Sequence, residues 1–388
     1  MGVDPHLMEN LRRIVSTCSL RERQVIIAFD EMEVRKELEF NKADDVVDGY
    51  QDFGGGCRNG AIASKALVFM VKGCCSNWKY IMSFYASSNA VHADQLKSLL
   101  LENIDAATDI GLIVRGIVCD QGSSNLRLNR EICTESDHFF IYKDAKIVFL
   151  WDFPHLFKSL RINLFSKGFK VDGYSINKEP IVAVYEHDKK NFNVKLCPKL
   201  TERHVYLSSW DKMNVARAIQ VFSRTVAAAI DTLISNGKLN ESAKPTSEFL
   251  KKINDIFDEL NVKSLHTSNP NNKPIHKGCN AKIERLKNAL EYVQKIETTN
   301  MVKCVNGLAQ TIRGMVLLSE EVFDSCNDVN YVLTGKLSQD ALENAFSRFR
   351  AQGNNSHPSV HKSIITPDNV AKKNSGLDTL ECKKDRFI

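Results

Sequence analysis

Three apolar, β-rich runs in this chain each finish on an aspartate. Gln24–Met32 reads QVIIAFDEM and delivers Asp30, Leu112–Asp120 reads LIVRGIVCD, and Lys146–Asp152 reads KIVFLWD. In the first run the unbroken apolar stretch Val25–Phe29 fits a strand covered on both faces rather than one with alternating polarity. Ligands and catalytic groups collect at strand ends in open α/β sheets. Carboxylates gathered at such an edge repel one another unless a hard cation lies between them, and Mg²⁺ takes a few carboxylate oxygens together with water and phosphate. The chemistry indicated is metal-assisted phosphoryl transfer. Each aspartate taken singly also suits a turn or a helix cap, so it is the recurrence that carries the inference.

The elements that must position these acids follow in a definite order. Asp4–Ser19 places Leu7, Leu11, Ile14 and Val15 at helical spacing, a short lead-in to the first strand. After a charged stretch, Val46–Gly56 runs a short strand into a glycine cluster that can turn sharply, which suits a hairpin. Lys65–Lys72 and Trp78–Tyr85 read as two strands joined by a turn. His92–Asp109 reads as a helix on Leu96, Leu99, Leu100 and Ile104, and the strand to Asp120, a helix from Ser123 and the strand to Asp152 follow. The order is β-β-β-α-β-α-β.

Beyond Pro154 helical patterns dominate as far as Glu321, including Met213–Ile230 and Ala281–Ile296, with the polar segment Ser268–Gly278 as an exposed loop among them. Ser338–Gln352 opens on a serine cap and continues as a helix with Leu342, Ala345, Phe346 and Phe349 on one side, returning the chain to the sheet. The tail from Gly353, rich in Asn, Ser, Pro and Lys, reads as loosely ordered. The expected fold class is therefore α/β: a mixed sheet that resembles the ribonuclease H-like arrangement, interrupted by a large all-α insertion domain. Its parts are a helical lead-in at 1–23, a core in two segments at 24–153 and 335–352, an insertion at 154–334 and a tail at 353–388.

Bulk properties narrow the function classes. A chain of 388 residues exceeds one ordinary core. No run is long and apolar enough to span a bilayer, and Met1–Leu20 carries Asp4, Glu9, Arg12 and Arg13 without an apolar segment, so an intracellular protein without a membrane partner is expected. Eleven scattered cysteines with no C-x-x-C pair argue for free thiols rather than a disulfide framework or a zinc finger. A net charge of +5 allows a nucleic-acid partner without requiring one.

The blocks IAFDEM (Ile27–Met32), GIVCDQGSSN (Gly116–Asn125), DFPHLFKSLR (Asp152–Arg161), WDKMNVA (Trp210–Ala216) and SQDALENAF (Ser338–Phe346) resemble the P element transposase family, including the transposase-like part of THAP-domain proteins. They occur in family order over nearly the whole chain. The resemblance implies a DDE-type transposase core that cleaves and joins DNA strands. Asp30 and Asp120 would be its catalytic aspartates and Glu343 its catalytic glutamate, together holding two Mg²⁺ ions that activate water or a 3′-hydroxyl and stabilise the leaving oxygen. Glu31 points to the other side of a continuing strand and stays outside this triad. The resemblance also implies that the insertion binds guanine nucleotide as a cofactor that is not hydrolysed. Lys158 would contact phosphate or ribose, and Asp211, Asn214 and Asp340 would face the guanine. A carboxylate can accept from the guanine N1–H and amine, although Asp211 could equally cap the helix after it. The tetrapeptide NKAD (Asn41–Asp44) matches a GTPase signature by chance, since no phosphate loop precedes it.

Family members begin with a zinc-coordinating THAP domain and a coiled coil, and neither pattern occurs in this chain. The partners implied are transposon-end and target DNA and guanine nucleotide, with room for a homo-oligomer, and the location implied is nuclear. The alternative is a domesticated or truncated module that binds DNA or protein without catalysis.

Overall fold

The computed structural model describes residues 1–42, 45–134, 138–191, 194–298, 303–352 and 358–360. The chain divides into two compact units, one built from Met1–Leu150, Glu320–Val329 and the chain from Leu337 onward, the other from Trp151–Ser319 and Asn330–Lys336.

In the first unit β1 (Gly2–Val3) precedes α1 (Pro5–Thr17), whose first turn is capped by Asp4 Oδ1 accepting from the His6 N–H at 2.8 Å. The central strand β2 (Gln24–Glu33) follows, then an excursion of short strands, β3 (Glu39–Asn41), β4 (Val46–Asp48), β5 (Tyr50–Asp52) and β6 (Arg58–Ile62). Next come β7 (Lys65–Gly73), β8 (Lys79–Ser87), α2 (Ala93–Asp109), β9 (Ile113–Cys119), α3 (Ser123–Ile132), β10 (Phe139–Tyr142) and β11 (Ala145–Trp151). The main sheet runs β10-β11-β9-β2-β7-β8-β5-β6, with β1 added beside β8. β2 lies antiparallel to β7 and parallel to β9, so the sheet is mixed. The ribonuclease H-like expectation holds.

Both faces of β2 are covered, as the unbroken apolar run requires. Phe29 stacks on Phe69 with ring centroids 5.2 Å apart, and Phe69 meets Tyr85 edge-on. On the opposite face Ala28, Met32, Val68, Met70 and Phe84 pack with Leu342, Ala345, Phe346 and Phe349. Burying four such helix side chains accounts for several kcal/mol of docking free energy at about 1.5–3 kcal/mol for each large one.

The second unit contains α4 (Phe153–Ser166), β12 (Phe169–Val171), β13 (Tyr174–Ile176), α5 (Glu179–Lys190), α6 (Glu202–Val205), α7 (Ser209–Met213), α8 (Val215–Val221), α9 (Arg224–Ser235) and α10 (Lys244–Leu260). Then follow β14 (Ile275–His276), α11 (Asn280–Gln294), β15 (Ile296–Glu297), the greater part of α12 (Lys303–Ser325) and β16 (Tyr331–Val332), before α13 (Asp340–Gln352) rejoins the first unit. Phe249 of α10, fully buried, anchors this unit against Phe169, Phe222 and Tyr292.

Several local expectations are corrected. The run Met213–Ile230 is broken at Ser223, whose side chain accepts from the Val226 N–H and caps α9, so an internal serine acts as punctuation there. Part of the polar segment Ser268–Gly278 pairs as β14 with β16, through Ile275 and His276. α13 begins at Asp340 with the Gln339 carbonyl accepting the Glu343 N–H at 3.0 Å, so Ser338 stands one residue ahead of the cap position. The ten cysteines among the described residues are free thiols. No described helix is long and apolar enough to cross a membrane. The expected loose tail lies outside the described residues apart from Pro358–Val360, as do Ala43 and Asp44 of the NKAD stretch.

Candidate functional site

The parallel pairing of β2 with β9 matches Ile26 with Gly116, Ile27 with Ile117 and Ala28 with Val118. Carrying that register two residues further sets Asp30 level with Asp120, on the same face of the sheet. Both aspartates are half-buried and line one cavity of about 260 Å³, shared with Phe29, Glu31, Lys65 and the start of α3 from Gly122 to Asn125. Asp120 is held in place: its Oδ1 accepts from the Gly122 N–H at 3.0 Å and from Asn125 Nδ2 at 2.8 Å, and the same amide reaches the Asp120 carbonyl at 3.1 Å. A Cβ at Gly122 would come within 3.1 Å of that carboxylate oxygen, which explains a residue without one. Asp30 Oδ1 accepts from the Glu31 backbone N–H at 2.8 Å.

Glu343 is carried by α13, which packs on the sheet of the same unit. The antiparallel pairing of Asp30 with Val68 puts Asp30 on the face that packs against α13. Gln339 Nε2 donates to the Phe29 carbonyl at 2.6 Å, one residue before Asp30, and Lys72 Nζ donates to the Ser338 carbonyl at 2.6 Å. Glu343 lies one helical turn after Gln339, on the same side of α13. It is half-buried and is not among the residues lining the cavity that Asp30 and Asp120 share. Glu31 faces the α2 side, where its Oε1 accepts from the Val91 N–H at 2.7 Å and its Oε2 pairs with Lys65 Nζ at 2.9 Å. Both of its oxygens are thus engaged. The donor set of Asp30 and Asp120, all oxygen and half-buried beside a polar cavity, suits a hard divalent cation.

The four expected nucleotide residues divide between the units. Asp340 opens α13 in the first unit, and Lys158, Asp211 and Asn214 belong to the second. There, Lys158 is on α4 one turn before Arg161, whose Nη2 donates to the Asp211 carbonyl at 2.6 Å. That contact joins α4 to α7. Arg161 is wholly buried, and burial pulls its guanidinium pKa below the ordinary arginine value. The Asp211 carboxylate accepts from Ser208 Oγ at 2.5 Å and pairs with Arg217. The Ser208 hydroxyl leads the causes that lower its pKa, and the Arg217 charge adds to them. Asn214 caps α8, its Oδ1 accepting from the Arg217 N–H at 2.8 Å. As it stands, Asp211 is committed to α7 and α8 rather than open to a base, and a guanine edge would have to displace Arg217 or Ser208.

Sequence reasoning missed three residues. Asn125 falls inside the GIVCDQGSSN block, and its spacing from Asp120 is the signal that could have exposed it. Lys65 opens a strand and carried no motif. Trp210, immediately before Asp211, is 87% exposed, an aromatic face free to stack on a planar partner.

Such a sheet, with level carboxylates at adjacent parallel strand ends and a helical unit inserted before the last helix, defines an RNase H-like protein with an insertion domain. Residues 1–132 match the TNP-like RNase H N-terminal domain and residues 154–274 the TNP-like GTP-binding insertion domain. Both matched stretches are TNP-like, and the chain is similar to P element transposases in sequence and in fold. It is 27% identical over 344 residues to the Transposable element P transposase of Drosophila melanogaster, covering 86% of this chain and 43% of that protein. The chain therefore spans less than half the length of this relative. In fold it is similar to the Drosophila P element transposase strand transfer complex, with a TM-score of 0.80 at 22% identity, covering 97% of this chain and 83% of that one.

Proposed function

We propose that this chain is a DNA strand-cleaving and strand-joining core in which Asp30, Asp120 and Glu343 hold divalent metal and the insertion binds guanine nucleotide. The observation that carries the reading is the β2–β9 register, which sets two carboxylates level, with the α13 start tied by Gln339 to the residue before one of them. Mg²⁺ bound there would supply Lewis-acid stabilisation of phosphate oxygens and activation of an attacking hydroxyl. The chain's own part is to orient: Asn125 and the Gly122 N–H fix the Asp120 carboxylate, and the α13 tether fixes the approach of Glu343. The test is a nicking and strand-transfer assay with Mg²⁺ or Mn²⁺ on DNA carrying transposon ends. Activity that requires metal and is lost in Asp120→Asn supports the reading, and activity surviving that substitution overturns it.

The nucleotide half of the reading rests on the match to a GTP-binding insertion domain, and its candidate contacts are Lys158, Asp211, Asn214 and Asp340. Calorimetry with GTP and ATP tests it on the wild type, Asp211→Ala and Trp210→Ala. Equal affinity for both nucleotides overturns guanine recognition, and a GTP affinity untouched by Asp211→Ala removes Asp211 from the site. A nuclear location, as action on chromosomal DNA requires, is checked by imaging the tagged chain.

One observation favours a second reading, a DNA-binding module without catalysis: Glu343 does not line the cavity of the two aspartates. Salt-sensitive DNA binding with metal bound and no cleavage of any matched end would select it.

A further inference from the structure

Among the described residues that line the acid cavity, Lys65 is the one cation, and its surroundings single it out. It begins β7 opposite Glu33, at the end of β2 where Asp30 emerges. Its ammonium lies 2.9 Å from Glu31 Oε2, and Glu31 is fixed in turn by the Val91 N–H. The lysine side chain keeps 32% of its surface open, and an ammonium carries three donors, of which Glu31 takes one. A positive charge is thus held by an anchored acid on the wall of a cavity that also carries Asp30, Asp120, Asn125 and the hydroxyls of Ser123 and Ser124.

We propose that Lys65 is a phosphate-contacting residue of this cavity, holding a DNA phosphodiester beside Asp30 and Asp120, with Glu31 as the acid that positions it. The inference rests on the proposal that DNA enters this cavity. The chemistry suits it. Two carboxylates repel a phosphodiester, and a lysine lodged on the same wall offsets that repulsion where the chain must come close. The Glu31 pair fixes the lysine ammonium at the cavity wall. Contact with phosphate needs no sequence information, so Lys65 contributes affinity and register rather than base recognition.

Removing Lys65 alone leaves Glu31 uncompensated and would weaken DNA binding for that reason too, so the informative comparison is between Glu31→Gln and the double variant Glu31→Gln with Lys65→Met. Neither contains the ion pair, and they differ only in the lysine. Binding of the whole 388-residue chain to duplex DNA is measured by fluorescence anisotropy across a salt series. One phosphate contact contributes about 0.9 to the slope of log affinity against log salt. The double variant is expected to lose about 0.9 of slope relative to Glu31→Gln, so that from about 50 to 200 mM salt its affinity falls about 3.5-fold less. Equal slopes for the two overturn the proposal. A wild-type chain with no salt-dependent DNA binding refutes the underlying reading instead, so the two failures are told apart.

Discussion

Gln339→Met removes one donor from a buried side chain of similar size, and it tests how α13 is held. The wild-type amide sits 1% exposed and donates to the Phe29 carbonyl at 2.6 Å, across 310 residues of sequence. Losing a net hydrogen bond costs about 0.5–1.5 kcal/mol, and leaving the Phe29 carbonyl buried without that donor raises the total to about 1–3 kcal/mol. The apolar face of α13 opposes undocking. Leu342, Phe346 and Phe349 are each at most 3% exposed and together contribute roughly 6 kcal/mol. Since this apolar packing survives the substitution and outweighs the lost hydrogen bond, the helix stays on the sheet while the turn that carries Glu343 loosens. Urea unfolding should therefore show a loss of about 1–3 kcal/mol, with faster amide exchange confined to the first turns of α13. Ser347→Ala, an exposed change on the same helix, should stay within about 0.5 kcal/mol of wild type. If Gln339→Met unfolds within about 0.5 kcal/mol of wild type and α13 exchanges as before, the tether carries no energy and does not position Glu343.

Two further outcomes follow from the same geometry. Asn125→Ala should leave global stability within about 1 kcal/mol, because the site is half-open, yet raise the Mn²⁺ concentration needed for half-maximal cleavage by roughly 10-fold or more, since a partner that orients a ligating carboxylate is lost; an unchanged metal titration would remove Asn125 from the site. In the insertion, Lys282 is buried, donates to the Glu259 carbonyl at 2.7 Å and the Asn271 carbonyl at 3.1 Å, and pairs with the Glu259 carboxylate, yet burial pushes its pKa down to about 8. Because the folded pKa lies below the unfolded one, the unfolded chain holds a proton that the folded chain has lost from about pH 8 to about 10.5, so unfolding free energy rises with pH through that window. The rise is on the order of 2–3 kcal/mol relative to Lys282→Met, read from paired denaturant titrations; parallel pH profiles for the two proteins would show that Lys282 keeps an ordinary pKa.

The sheet was legible because its strands are buried on both faces and so read as unbroken apolar runs ending in aspartate. Val25–Phe29 and Ile147–Leu150 needed no context to be strands. Of the excursion β3–β6 only the strand and turn from Val46 were legible, because β3 and β6 are short and mostly exposed, leaving neither a run nor a period to detect. β10 escaped because its four residues, Phe139–Tyr142, are all apolar or aromatic and too few to show an alternation. At the site, Asp30 and Asp120 could be singled out from strand grammar, but the level register that pairs them exists only once β2 and β9 are adjacent. Lys65 and Gln339 were invisible because each acts through a partner far away in sequence. Asp211 shows the opposite failure. Its block was recognisable, but its commitment to Ser208 and Arg217 is a matter of side-chain placement that no spacing reveals.

The acid site depends on a chain segment that returns to its unit after the insertion, and polymer physics explains why that arrangement is tolerable. The Lys72–Ser338 and Gln339–Phe29 bonds close loops of 266 and 310 residues. Closing a flexible loop costs about 0.6 kcal/mol for each doubling of its length, so replacing a connection of about ten residues by an unfolded one of about 170 would cost roughly 2.5 kcal/mol. That is comparable to the one or two hydrogen bonds that tether α13 and well below the value of its apolar face. The hydrophobic face of α13 therefore supplies the energy that completes the sheet unit, and the polar tethers at Ser338 and Gln339 supply the register. This division of labour is what the proposed acid site needs, because packing tolerates small slides of a helix whereas a carboxylate proposed to share metal with two others does not.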